Sequence, residues 1–122
     1  MTTSATLIVT TNLPDAASAQ KLAALLIEQR LAACVNILAP CLSIYRWNGK
    51  IEETTEVPLL IKTSAACYDA LEACIRAHHP YELPEILAVP VVCGLAEYTN
   101  WIETETASDT SENASTAYKT SC

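Results

Sequence analysis

The sequence predicts a single α+β domain built on an antiparallel sheet, with a strand–helix–strand–strand–helix–strand order and a short closing helix. Three observations carry this. Two stretches with a 3.6-residue apolar period alternate with β-branched apolar runs. Asn48-Gly49 stands between two such runs as a hairpin turn, because both residues tolerate positive φ. The chain has 122 residues, enough for one hydrophobic core and too few for two.

The first strand is the apolar run Thr6-Leu7-Ile8-Val9-Thr10. Pro14 and Asp15 then open a helix, with proline in the first turn and an acid near the positive end of the dipole. Ala19, Leu22, Ala23, Leu26, Ile27 and Arg30 hold the helical period. A second strand runs from about 33 to 47, and a third returns from Lys50 to about Thr63. Cys67, Tyr68, Leu71, Cys74, Ile75 and His78 trace the second helix, which Pro80 stops. Ile86 to Val92 is the fourth strand. Leu95, Tyr98 and Ile102 mark the third helix. The domain is expected over residues 1–106. Residues 107–122 turn to Ser, Thr, Asp, Glu and Asn and read as a disordered polar tail.

Two right-handed βαβ units of this kind interleave into a ferredoxin-like sheet of order 4-1-3-2. The second and fourth strands are then edges, where Pro40 and Pro90 are tolerated. Pro58 falls in the central third strand. A two-residue turn at 48–49 sets Pro40 opposite Val57 and Ala39 opposite Pro58, so the prolines meet and a bulge or bend is expected there. The second strand would extend about 50 Å and the first only about 20 Å. The hairpin therefore overhangs the core, with Ile44, Tyr45, Trp47 and Ile51 near its tip. Such an apolar ribbon needs another chain to cover it. Only 17% of residues are charged, a low share for a small monomer, which also points to an oligomer.

The net charge is −7, and no basic patch exists to engage a nucleic-acid backbone. The first residues lack the basic and apolar regions of a secretory signal, and no apolar run reaches membrane-spanning length. A cytoplasmic location with no membrane partner is expected, and there thiols stay reduced. None of the six cysteines forms a Cys-x-x-Cys pair, and most read as small buried hydrophobes.

The topology sorts the chemistry by end. Thr10, Thr11, Asn12, the hairpin with Arg46, Trp47 and Lys50, and the segment from His78 to Glu85 share the end where the first strand finishes. Lys62 and Cys34 fall at the other end, though a neighbouring subunit could bring the two ends together. His78-His79 is the leading metal candidate, since imidazole suits copper, zinc and nickel. The competing reading is a pair that interacts favourably with the negative end of the second helix. Tyr81, Glu82 and Glu85 belong to a segment with two prolines, Pro80 and Pro84, and either line a cleft or form a stiff, solvated connector. Trp47 either stacks on a ligand or packs into a neighbour. Lys62 ends an apolar run, so its ammonium needs a carboxylate or an anionic ligand. No nucleophile–base pair is evident, and no enzyme is expected.

Ala32-Ala33-Cys34-Val35-Asn36-Ile37, Ile44-Tyr45-Arg46-Trp47-Asn48-Gly49-Lys50, Leu60-Ile61-Lys62-Thr63, the block from His78 to Ile86 and the Tyr98-x-x-Trp101-Ile102 ending together resemble the CutA family, from about Thr6 to Glu103. The resemblance implies a homotrimer with hairpins pairing between subunits, and a role in tolerance to divalent cations, copper especially. It also implies a copper site of two histidines, here His78 and His79, with a cysteine at the end of the first strand, a position that reads Thr11 here. No cofactor is required on this reading, copper or another divalent cation being the ligand. The fold and trimer also resemble the PII signalling proteins. That implies a second reading, a small-molecule or anion sensor with a ligand in an intersubunit cleft touching Lys62, Tyr81 or Glu85.

Overall fold

The computed structural model describes residues 5–107, so the expectation of a disordered tail falls, apart from Ala107, outside the described residues. The elements are β1 (Thr6–Leu13), α1 (Ala16–Glu28), β2 (Cys34–Ile37), β3 (Cys41–Trp47), β4 (Lys50–Ser64), α2 (Tyr68–His78), β5 (Leu87–Pro90) and α3 (Ala96–Thr106). A 3-10 turn, Ala65–Cys67, leads into α2. The sheet order is β2-β4-β1-β5, with β3 also paired to β4, and every pairing is antiparallel. This is the interleaved order expected from the sequence, with the second predicted strand divided into β2 and β3.

The division lies at the prolines. From the Asn48-Gly49 turn, with φ of 52° and 79° as a type I′ turn requires, β3 and β4 pair without a slip from Trp47↔Lys50 to Cys41↔Glu56. Beyond the break, β2 resumes at Ile37↔Leu59. Residues 38–40 thus stand opposite only Val57 and Pro58, which is a bulge. The Leu38 amide donates to the Pro58 carbonyl at 2.9 Å. In a strand, a residue's amide and carbonyl point the same way. The donor that Pro58 lacks is therefore on the bulged side, where the ladder is already interrupted, and proline is accommodated in a central strand.

The two faces of the sheet have different covers. Val9 and Leu13 of β1 and Val57, Leu59 and Ile61 of β4 face α1 and α2, where Leu22, Leu26, Leu71, Cys74 and Ile75 close the core. Most of these side chains are fully buried, and each large one stabilises the fold by about 1.5–3 kcal/mol relative to exposure. The opposite face carries Ile8, Thr10 and Asn12 of β1. At one end of it α3 packs across β1 and β4, with Ile102 buried. The other end continues onto the hairpin.

Two caps differ from expectation. Asp15 is the N-cap itself: its carboxylate accepts from the Ser18 amide at 2.7 Å, and that bond holds its pKa below the usual value. At the other end α1 stops at Glu28, short of Arg30, which was expected to continue the helical period. Arg30 has φ 59°, the Leu31 amide donates to the Leu26 carbonyl and the Arg30 amide to that of Ile27. This is a Schellman motif with arginine where glycine is usual. Its guanidinium donates to the carbonyls of Thr104 and Ala107, both at 3.0 Å, and so caps α3 as well.

Candidate functional site

The end-sorting expected from the sequence is realised. The segment after α2 folds back over the end of β1 and against the base of the hairpin, and encloses a cleft of ≈ 660 Å³. Asn12, Tyr45, Trp47, Glu56, Tyr81, Glu82 and Glu85 line it, among others, and among the described residues no lysine, arginine or histidine does. Of the predicted cleft residues, Trp47, Tyr81, Glu82 and Glu85 come together. Lys62 does not join them: it lies on β4 opposite Ile8 and Cys34, at the far end of the same face.

Three anchors hold the segment in place. Glu85 accepts from the Thr10 hydroxyl at 2.8 Å and from the Asn12 side-chain amide at 3.1 Å. Alternate residues of one strand share a face, so β1 presents both donors to one carboxylate. His79 is buried, with Nε2 2.7 Å from the Asn12 carbonyl and Nδ1 3.1 Å from the Tyr81 amide. The amide can only donate and the carbonyl only accept, which assigns the neutral tautomer protonated on Nε2. Burial lowers the His79 pKa below 6.5 in the same direction. Tyr81 stacks at a tilt on the His79 ring, 4.9 Å between centroids. Burial first, and then a hydrogen bond to Glu56, push its hydroxyl up to about 12.

The three predicted metal residues occupy different settings. His78 is exposed, and its Nδ1 lies 2.9 Å from the Cys74 carbonyl, which leaves Nε2 outward. His79 has both ring nitrogens engaged, as above. Thr11 faces the core with 0% exposure, and its hydroxyl has no hydrogen-bond partner among the described residues. No group of three His, Cys, Asp or Glu side chains is arranged to hold a metal ion among the described residues. Their donor atoms thus lie in three different surroundings. Cys34, Cys41 and Cys93 are free thiols, of which Cys41 and Cys93 are exposed, and the buried Cys67 donates from Sγ to the Thr106 carbonyl at 3.2 Å.

Glu56, which holds Tyr81, was not singled out in the sequence. The hairpin register was the available signal, since it places Glu56 across from Cys41 and on the face shared with Tyr45 and Trp47.

The family model described as CutA1 divalent ion tolerance protein matches residues 7–105, which span every element from β1 to α3. The chain belongs to the CutA family. It is 40% identical over 98 residues to the divalent-cation tolerance protein CutA of Escherichia coli, covering 80% of this chain and 88% of that protein. Among solved structures it is similar to CutA from Xylella fastidiosa, at 46% identity and TM-score 0.83 over 85% of this chain and 100% of that one. CutA1 from Oryza sativa matches at 36% identity and TM-score 0.83, over 88% and 98% of the two chains. A structure described as the periplasmic divalent cation tolerance protein CutA from Archaeoglobus fulgidus matches at 34% identity and TM-score 0.81, over 84% and 99%. CutA membership thus accounts for the sheet order, the long hairpin and the α3 ending together. Among the described residues no helix is long and apolar enough to cross a membrane.

Proposed function

We propose that the protein serves tolerance to divalent cations, copper among them, as a non-enzymatic cytoplasmic homotrimer that binds the cation directly. Membership of the CutA family is the observation that carries this reading. The assembly is supported by the hairpin, where Leu42, Ile44 and Ile51 are 60%, 63% and 68% exposed, an apolar surface that a neighbouring subunit would cover. His78 is the ligand that this chain offers without rearrangement, with the remaining ligands supplied by another subunit. His79 would join only by giving up its bonds to Asn12 and Tyr81. Thr11 would join only by turning its hydroxyl out of the core. The test is an anaerobic copper and zinc titration of the reduced protein beside His78→Ala and His78→Ala/His79→Ala, with sedimentation of each. Binding that weakens at least about tenfold in His78→Ala while the trimer persists is the expected result. A wild type that binds neither metal refutes direct binding.

The cleft favours a second reading, a sensor of small molecules. Its volume lies within the roughly 300–1,000 Å³ of small-molecule sites, and three aromatic rings with a few polar groups line it, as is usual there. A ligand screen against the metal-free protein separates the two, since a sensor ligand would protect Tyr81 and Trp47 and leave His78 untouched.

A further inference from the structure

The far end of the open sheet face holds a second, smaller cavity, separate from His78 and from the aromatic cleft. Its volume is ≈ 280 Å³, and α3 closes it over β1 and β4. Ile8, Val91, Leu95 and Ile102 form apolar walls around one charge among the described residues, the ammonium of Lys62. That ammonium lies 3.5 Å from the Tyr98 hydroxyl and 5.7 Å from the centre of its ring, and it forms no ion pair among the described residues. A half-buried cation among apolar walls is costly to desolvate unless an anion is brought to it. Gly94 is part of the wall. A Cβ there would stand 3.2 Å from Thr99 Cγ2, so the missing side chain keeps the space clear.

We propose that this pocket binds a small aliphatic monocarboxylate. The carboxylate would pair with Lys62. Tyr98 accepts from Lys62 and so keeps its own proton for the second carboxylate oxygen. The chain would lie along the apolar walls. A metal cation is repelled by the ammonium, and a polyanion would bring more charge than one lysine can balance. The inference takes up Lys62 from the anion-sensor reading and otherwise involves neither His78 nor the aromatic cleft. A carboxylate of a second copy could meet the same lysine, and the experiment separates the two sources.

Hexanoate is titrated into the full chain in its native assembly, followed by calorimetry and by chemical shifts of α3. Hexanol serves as the uncharged control, and Lys62→Met and Gly94→Leu as variants, each sedimented beside wild type. The expected result is saturable hexanoate binding that falls at least about tenfold in both variants, with hexanol binding at least about tenfold weaker than hexanoate. Absence of saturation in wild type overturns the proposal, as does equal affinity in Lys62→Met or equal binding of hexanol. Dissociation of the assembly in Lys62→Met, with no hexanoate binding in wild type, would assign the carboxylate to a second copy and overturn it too. Should Lys62→Met fail to fold, the Gly94→Leu and hexanol arms decide.

Discussion

Thr11→Val is expected to stabilise the protein. Thr11 is fully buried on the core face of β1, opposite Leu59, and its hydroxyl has no hydrogen-bond partner among the described residues. Mutational data place the cost of an unsatisfied buried polar group at about 1–3 kcal/mol. Valine has nearly the same shape, puts a methyl group where the hydroxyl was, and suits a strand at least as well. The cavity term that accompanies truncation is therefore absent, and a gain of about 1–2 kcal/mol is expected. With a urea dependence of about 1–3 kcal/mol per molar, the midpoint should rise by roughly 0.5–1 M. The assay is equilibrium urea unfolding followed by tryptophan fluorescence, at matched protomer concentration because assembly stabilises by mass action. A loss of about 1 kcal/mol or more would refute the reasoning. It would mean that the hydroxyl has a partner, and Thr11 would return as a candidate ligand.

Burial lowers the pKa of His79, so the folded state holds it neutral where the unfolded chain protonates it. Its contribution is complete above pH 6.5 and is lost as the pH falls below that value, with the 80–85 segment releasing first, as hydrogen exchange of the Tyr81 amide would show. Tyr81 has the opposite dependence. Its hydroxyl is raised from 10.0 to about 12, so its contribution is present below pH 10 and disappears as the pH rises towards 12, and Tyr81→Phe should flatten the alkaline limb of a thermal-midpoint profile. Gly49→Ala should cost about 1–2 kcal/mol in urea unfolding, through its positive φ alone, because a Cβ there meets nothing within 4 Å. Glu85→Gln should speed amide exchange across residues 80–86, since it weakens the paired bonds from Thr10 and Asn12.

Local patterns made much of the fold legible. Asn48-Gly49 set the hairpin register, and the register put the two prolines at one place, where the bulge is found. Chain direction alone placed Asn12 and Glu85 at one end, and the structure joins them by a hydrogen bond. Arg30 was not legible, because its side chain fits the helical period while its backbone adopts the left-handed conformation that usually signals glycine. The tautomer of His79 depends on two backbone groups that carry no residue-type signal. The isolation of Lys62 follows from where α3 packs, and a short helix with apolar residues at three positions does not announce which face of the sheet it will cover.

The bulge at residues 38–40 also acts as a change of parity along one strand. Strict alternation carried through residues 38–40 would turn the odd-numbered positions of β3 towards α1 and α2, where Val35 and Ile37 face. Instead Tyr45 and Trp47 point to the face that carries Glu56, and the aliphatic Leu42 and Ile44 take the other side. Removing one residue from 38–40 would erase the bulge and leave both registers and both sides of the ribbon as they are, because Ile37↔Leu59 and Cys41↔Glu56 would then be separated by two residues on each strand. The face that lines the cleft is thus set by the hairpin turn and its pairing with β4, and the bulge reconciles that face with the alternation of β2.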